Sequence, residues 1–135
     1  MARRKRVKEF NAKAELNRLI VNKTGKVISQ LIQEEFLRQE DPNEQPWKPL
    51  KKDGSEFDKK FGLRRAFRKV ISGNKILIYN KLPYAIFYQK GTKYIPARKM
   101  LPEGELPPWW HFTLEESLTR TINWTIRRAI RNIIN

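Results

Sequence analysis

The sequence predicts an α+β domain: a long N-terminal helix and a C-terminal helix packed on a small antiparallel sheet. Three observations carry that expectation. Apolar residues recur at helical spacing from about Val7 to Phe36 and again from Leu114 to Ile133. Between these stretches, Ser72-Gly73-Asn74 separates two short apolar runs, the pattern of a β-hairpin. At 135 residues the chain has the length of a single domain, 1–135, with enough surface to bury a real core.

Residues 1–8 form a basic arm that includes Arg3, Arg4 and Arg6 and reads as frayed. Val7, Phe10, Ala14, Leu19-Ile20, Val27-Ile28, Leu31-Ile32 and Phe36 then mark one long amphipathic helix, or two helices separated near Thr24-Gly25. A glycine inside a helix costs roughly 1 kcal/mol against alanine, so a kink or break is expected there. Glu34 and Glu35 are adjacent, about 100° apart on a helix, and read as part of its wet face. Asp41-Pro42 is the expected stop.

Residues 41–61 are polar and turn-rich, with Pro42, Pro46, Pro49 and Gly54, and read as an irregular loop. Trp47 and Leu50 pin it. Trp47 is expected either to plug the edge of the core or to meet a neighbouring subunit. Ala66–Ile71 and Lys75–Tyr79 are the two hairpin strands, although Leu63 to Phe67 can also begin as a helical turn. Four consecutive apolar residues, Ile76 to Tyr79, suggest that both faces of the second strand are covered.

Tyr84 to Leu101, YAIFYQKGTKYIPARKML, is the stretch around which the chain is organised. Tyr84, Ile86, Phe87 and Tyr88 offer apolar area with polar handles. Tyr84 to Gln89 reads as a short helical turn ending at Gly91, where the backbone can turn freely. Pro96 fixes its own φ and extends Ile95. Arg98 presents a planar five-donor fork to a carboxylate or to main-chain carbonyls. Ala97–Leu101 is expected to add a third strand to the hairpin.

Leu106-Pro107-Pro108-Trp109-Trp110 reads as a stiff corner, followed by a capping box at Thr113-x-x-Glu116. The last helix then runs to Ile133, with Leu114, Leu118, Ile122, Ile126, Ala129, Ile130 and Ile133 as its stripe. Arg120, Arg127, Arg128 and Arg131 fall largely off that stripe. His111 reads as a packing or capping residue beside Trp110.

The ordered residues of this chain resemble the virion morphogenesis proteins of tailed bacteriophages, also called tail-completion or head–tail joining proteins. The resemblance rests on Pro42, Trp47-Lys48-Pro49-Leu50, Gly62-Leu63-Arg64-Arg65, Tyr84-Ala85, Gln89, Gly91 and Pro96-Ala97-Arg98 followed by Leu101, over roughly residues 42 to 101. Tyr88 stands where the family often has His, and Lys99 where it often has Pro. The resemblance implies a non-enzymatic structural protein that completes the tail or its junction with the head through protein–protein contacts. It implies partners among other tail or connector proteins, a homo-oligomeric ring, and residence in the virion after assembly in the host cytoplasm. Trp109 and Trp110 are the expected interface aromatics.

The formal net charge of +15 is uneven: residues 1–26 carry +7, residues 27–59 carry −3 and residues 60–135 carry +11. Such a field attracts anionic partners. The alternative function is therefore a basic, sequence-nonspecific nucleic-acid-binding protein, with Arg3, Arg4, Arg6, Arg127, Arg128 and Arg131 as phosphate contacts. Weak, nonspecific DNA contact is also compatible with a structural role. No cysteine, no His pair and no glycine-rich phosphate loop is present, so no catalytic residue, cofactor or metal is expected. Asp53 and Asp58-Lys59-Lys60 only faintly suggest a metal-dependent nuclease, because they fall in a loop without strand periodicity. No run reaches the length of a membrane span, so no membrane contact is expected.

Overall fold

A computed structural model describes residues 12–49 and 62–134. Leu50, the carboxylates Asp53 and Asp58, and the arginines Arg3, Arg4 and Arg6 lie outside the described residues. The element order is α1 (Ala12–Arg38), a 3-10 turn (Arg64–Ala66), β1 (Phe67–Ser72), β2 (Lys75–Asn80), α2 (Ala85–Lys90) and α3 (Pro108–Ile134). This is the expected α+β arrangement, with long terminal helices and a two-stranded antiparallel sheet.

Helix α1 runs unbroken through Gly25, against the expected kink. Gly25 is buried, and a Cβ there would stand 3.4 Å from Lys69 Cδ and 3.5 Å from Ile71 Cδ1. The missing side chain lets the hairpin approach the helix, and that contact offsets the propensity cost of roughly 1 kcal/mol. Both neighbouring hydroxyls are satisfied inside the helix: Thr24 Oγ1 donates to the Ile20 carbonyl and Ser29 Oγ to that of Gly25. The helix stops before Asp41-Pro42, where Gln39 takes φ 55° and the Glu40 amide returns to the Glu35 carbonyl.

In the hairpin, Phe67 pairs with Asn80 and Ser72 with Lys75, leaving Gly73 and Asn74 as the turn. Burial in β2 alternates, with Ile76 and Ile78 partly covered and Leu77 and Tyr79 exposed. The expectation that both faces are covered therefore fails. Only the face toward α1 is packed, and Val70, Leu77 and Tyr79 remain on the outer one.

The expected third strand is absent. Residues 97–101 have no ladder partner, because side chains of other segments take their backbone groups, as described below.

Helix α3 begins five residues before the expected capping box. Pro108 occupies its first position, where a residue without an N–H is tolerated. Thr113 is thus inside the helix, its hydroxyl donating to the Trp109 carbonyl at 2.9 Å. Glu116, instead of reaching back to a cap, pairs with Arg120.

The two long helices are antiparallel: Glu35 near the end of α1 meets Trp110 at the start of α3, while Glu15 and Leu19 share a cleft with Arg128 and Asn132. The core lies at one end of this pair. Val27, Leu31, Ile32 and Phe36 from α1 pack there with Trp47, Leu63, Ala85, Met100, Trp110 and Leu114. Beyond Leu114, no described residue of α3 is fully buried, and the two helices continue as an arm.

Candidate functional site

Most of the motif residues singled out in the sequence converge on one structure, a clasp that ties residues 84–101 to the end of α1 and to the loop after it. It starts at Asn80, whose side-chain amide donates to the Leu63 carbonyl at 2.8 Å while its oxygen accepts the Leu82 amide at 3.0 Å. That fixes the exit from β2. The Ala85 amide then returns to the Leu82 carbonyl and α2 begins, with Ala85 buried and Tyr84 edge-on to Tyr88 at 6.3 Å.

Gly91 closes α2 with φ 75° and its amide on the Phe87 carbonyl. A Cβ here would come within 2.8 Å of the Ala97 nitrogen, so the chain doubles back on itself where only glycine fits. Thr92 shapes the reversal: its amide donates to the Ile95 carbonyl, and its hydroxyl accepts from the Tyr94 and Ile95 amides. Pro96 and Ala97 then bring Arg98 alongside α2, where its amide donates to the Tyr88 carbonyl at 2.6 Å.

Gln89 plays the part of a neighbouring strand. Its Oε1 accepts the amides of Met100 and Leu101 at 2.8 and 3.0 Å, and its Nε2 donates to the Leu101 carbonyl at 2.8 Å. One side-chain amide thus satisfies three backbone groups beside the core. With the Arg98 amide donating to the Tyr88 carbonyl and the Trp47 indole to the Lys99 carbonyl, this is why residues 98–101 need no ladder.

Arg98 is only 3% exposed, and among the described residues its side chain donates to main-chain carbonyls: Nε to Lys48 at 2.6 Å and Nη2 to Pro49 at 3.2 Å. Burial pushes its basicity below the ordinary arginine value, while Tyr88 nearby acts in the opposite direction. Burial likewise raises the Tyr88 phenol, against the effect of Arg98.

Trp47 completes the clasp from the other side. Its indole Nε1 donates to the Lys99 carbonyl at 2.9 Å, and its ring meets Phe36 edge-on at 5.0 Å. It is buried, so of its two expected roles the structure shows the plug. Gly62 has φ 68° just before buried Leu63, and among the described residues nothing lies within 4 Å of where a Cβ would stand.

Three expectations, for Trp110, Glu35 and His111, are corrected. Trp110 is buried, not an exposed contact, because the start of α3 crosses the end of α1 and its indole donates to Glu35 Oε1 at 2.9 Å. Trp109 is half-buried, with the Arg38 guanidinium 4.7 Å from its ring centre. Glu35 is not on a wet face: it is 0% exposed, and burial raises its carboxyl to about 9 despite the Trp110 bond. His111, expected to pack or cap beside Trp110, is instead exposed inside α3, 3.6 Å from Glu115.

The outer side of the clasp exposes apolar side chains among Lys90, Lys93 and Lys99. Ile86, Phe87 and Tyr94 are exposed, Tyr94 by 80%, and Ile86 also lines a groove of about 290 Å³ with Leu82, Pro83, Ala85, Met100 and Leu101 among others. Arg127, Arg128 and Arg131 are exposed on α3, far from the clasp along the arm. Sequence reasoning overlooked Trp124, an exposed indole on the same stretch, whose helical spacing to these arginines was the available signal. Among the described residues, no group of three or more acidic or histidine side chains gathers as metal ligands, and no helix is long and apolar enough to cross a membrane.

Comparison with protein-family models, with curated proteins and with solved structures produced no match for this chain.

Proposed function

We propose that this protein is a non-enzymatic structural component of a tailed-phage particle, acting in tail completion or at the head–tail junction. The observation that supports this reading is the use made of the motif residues. Gln89, Gly91, Arg98 and Trp47 are spent on backbone geometry, holding a rigid insert rather than presenting groups to a substrate. The insert displays the apolar side chains Ile86, Phe87 and Tyr94, with Ile86 on the rim of the groove at Leu82 and Leu101 and Lys90, Lys93 and Lys99 around them. A preorganised apolar patch binds a neighbour without a large ordering cost, and aromatic anchors in such patches carry much of the affinity.

In this reading the neighbour is another tail or connector protein, or a further copy of the chain in a ring built by head-to-tail contacts. The test is deletion of the gene in its phage. Filled heads accompanied by unjoined or unstable tails in electron micrographs are the expected outcome. Normal infectious particles would overturn the proposal. Mass measurement of the purified protein across concentrations separately tests the ring.

A further inference from the structure

Helix α3 carries a second surface, away from the clasp. At about 100° per residue, Arg120, Arg127, Arg128 and Arg131 all project within about 60° of Trp124. Ile126 and Ile130, also exposed, project on the opposite flank. One edge of the arm is therefore an indole surrounded by guanidinium groups along roughly 17 Å of helix.

Trp124 is 56% exposed and lines two clefts between α1 and α3. The larger, about 340 Å³, is completed by Lys23, Ser117, Arg120 and Thr121. The smaller, about 200 Å³, holds Leu19, Thr125 and Arg128 with Glu15 at its edge. The Arg128 guanidinium lies 5.2 Å from the indole centre. Glu116 on Arg120 and Glu15 on Arg18 are the acidic side chains paired in this region.

We propose that this edge is a binding platform for single-stranded nucleic acid, with a base stacked on Trp124 and the flanking phosphates on Arg120, Arg127, Arg131 and Lys23. Aromatic rings set among cations are how sequence-tolerant single-strand sites are built. Arg120 exchanges Glu116 for phosphate in the bound state. An acidic peptide satisfies the arginines but offers the indole no flat ring. A duplex keeps its bases stacked within itself and presents phosphate alone, leaving Trp124 without a role. The platform is remote from the clasp, so its failure leaves the assembly proposal standing.

The experiment is a salt series of anisotropy titrations with dye-labelled oligothymidine, a duplex of the same length and polyglutamate. The probes are run against the full chain and the variants W124A, W124F and R120A/R127A/R131A. Single strand is expected to bind tightest. W124A should lose roughly tenfold in affinity with an unchanged salt slope, and W124F should keep most of it. The triple variant should lower the slope by about 2, since each phosphate contact on a single strand contributes about 0.7. Circular dichroism of each variant establishes that the exposed substitutions leave the helices intact. Unchanged affinity in W124A overturns the proposal, as does equal or tighter binding of either the duplex or polyglutamate.

Discussion

The indole N–H of Trp110 donates to Oε1 of Glu35 at 2.9 Å, across 75 residues of sequence and out of reach of solvent. This bond joins the start of α3 to the end of α1, and Glu35 Oε2 has no hydrogen-bond partner among the described residues. Burial disfavours the charged carboxylate, and Asp41 nearby adds to that effect. The folded carboxyl holds its proton up to about 9, whereas the unfolded chain releases it near the ordinary 4.5.

Unfolding between these two values therefore releases a proton, and stability falls as pH rises through that window. Below it both states are protonated and the contribution is fully present. The expected slope from this group is about 1.4 kcal/mol per pH unit. Chemical denaturation from pH 5 to pH 9 measures it. Glu35→Gln keeps an acceptor for Trp110 and cannot ionise, so it should flatten the slope and stabilise the protein at pH 8. A wild-type curve as flat as that of the variant would refute the buried neutral acid.

Gln89→Ala should uncouple residues 100 and 101 from α2 without disturbing α1. Two amides and a carbonyl lose their partner, at about 1–3 kcal/mol for each group that water does not reach. Hydrogen exchange at the Met100 and Leu101 amides should accelerate well beyond that of amides in the α1 core. Exchange unchanged at these two positions would mean that Gln89 is not what holds them.

Gly91→Ala should be much more damaging than Gly73→Ala, although both glycines have positive φ. At Gly73 nothing lies within 4 Å of an added Cβ, and the backbone conformation alone costs about 1 kcal/mol. At Gly91 the new atom also meets the Ala97 backbone at 2.8 Å, so the turn must open and Arg98 moves with it. Thermal unfolding of the pair checks this. Equal losses would show that the close approach is unimportant.

Trp47→Phe keeps most of the ring contact with Phe36 and loses the bond to the Lys99 carbonyl, for about 1 kcal/mol. Trp47→Ala also empties part of the core and should cost about 3–5 kcal/mol. Denaturant midpoints of the two variants separate hydrogen bonding from packing.

Ile86→Asp with Phe87→Asp changes side chains that are each about half exposed, so a loss of about 1–3 kcal/mol is expected, and circular dichroism establishes that the variant still folds. Under the proposed assembly role the same double variant should fail to complement a deletion phage. Full complementation by a folded double variant would remove the patch from the interface.

Local chemistry made much of this fold legible from sequence. Helical periodicity marked α1 and α3, Gly73-Asn74 marked the hairpin turn, and Gly91 marked the end of α2, because each depends on residues within a few positions of one another. The motif residues could be picked out in the same way, but their partners could not. That Arg98 grips the carbonyls of Lys48 and Pro49, or that Gln89 stands in for a strand, depends on segments brought together by folding.

The sequence by itself determined the α+β class, the long terminal helices, the basic character of the ends and the position of the stiff aromatic block. Tertiary structure alone decided that Gly25 is a docking point rather than a break, that Glu35 and Trp110 are internal, and that Trp124 is left outside among arginines. The physical reason is the same in each case. Periodicity tells which side chains share a face, but burial is set by what crosses that face. Here the crossing partners are the hairpin at Gly25 and the first turn of α3 at Glu35, both remote in sequence from the residues they cover.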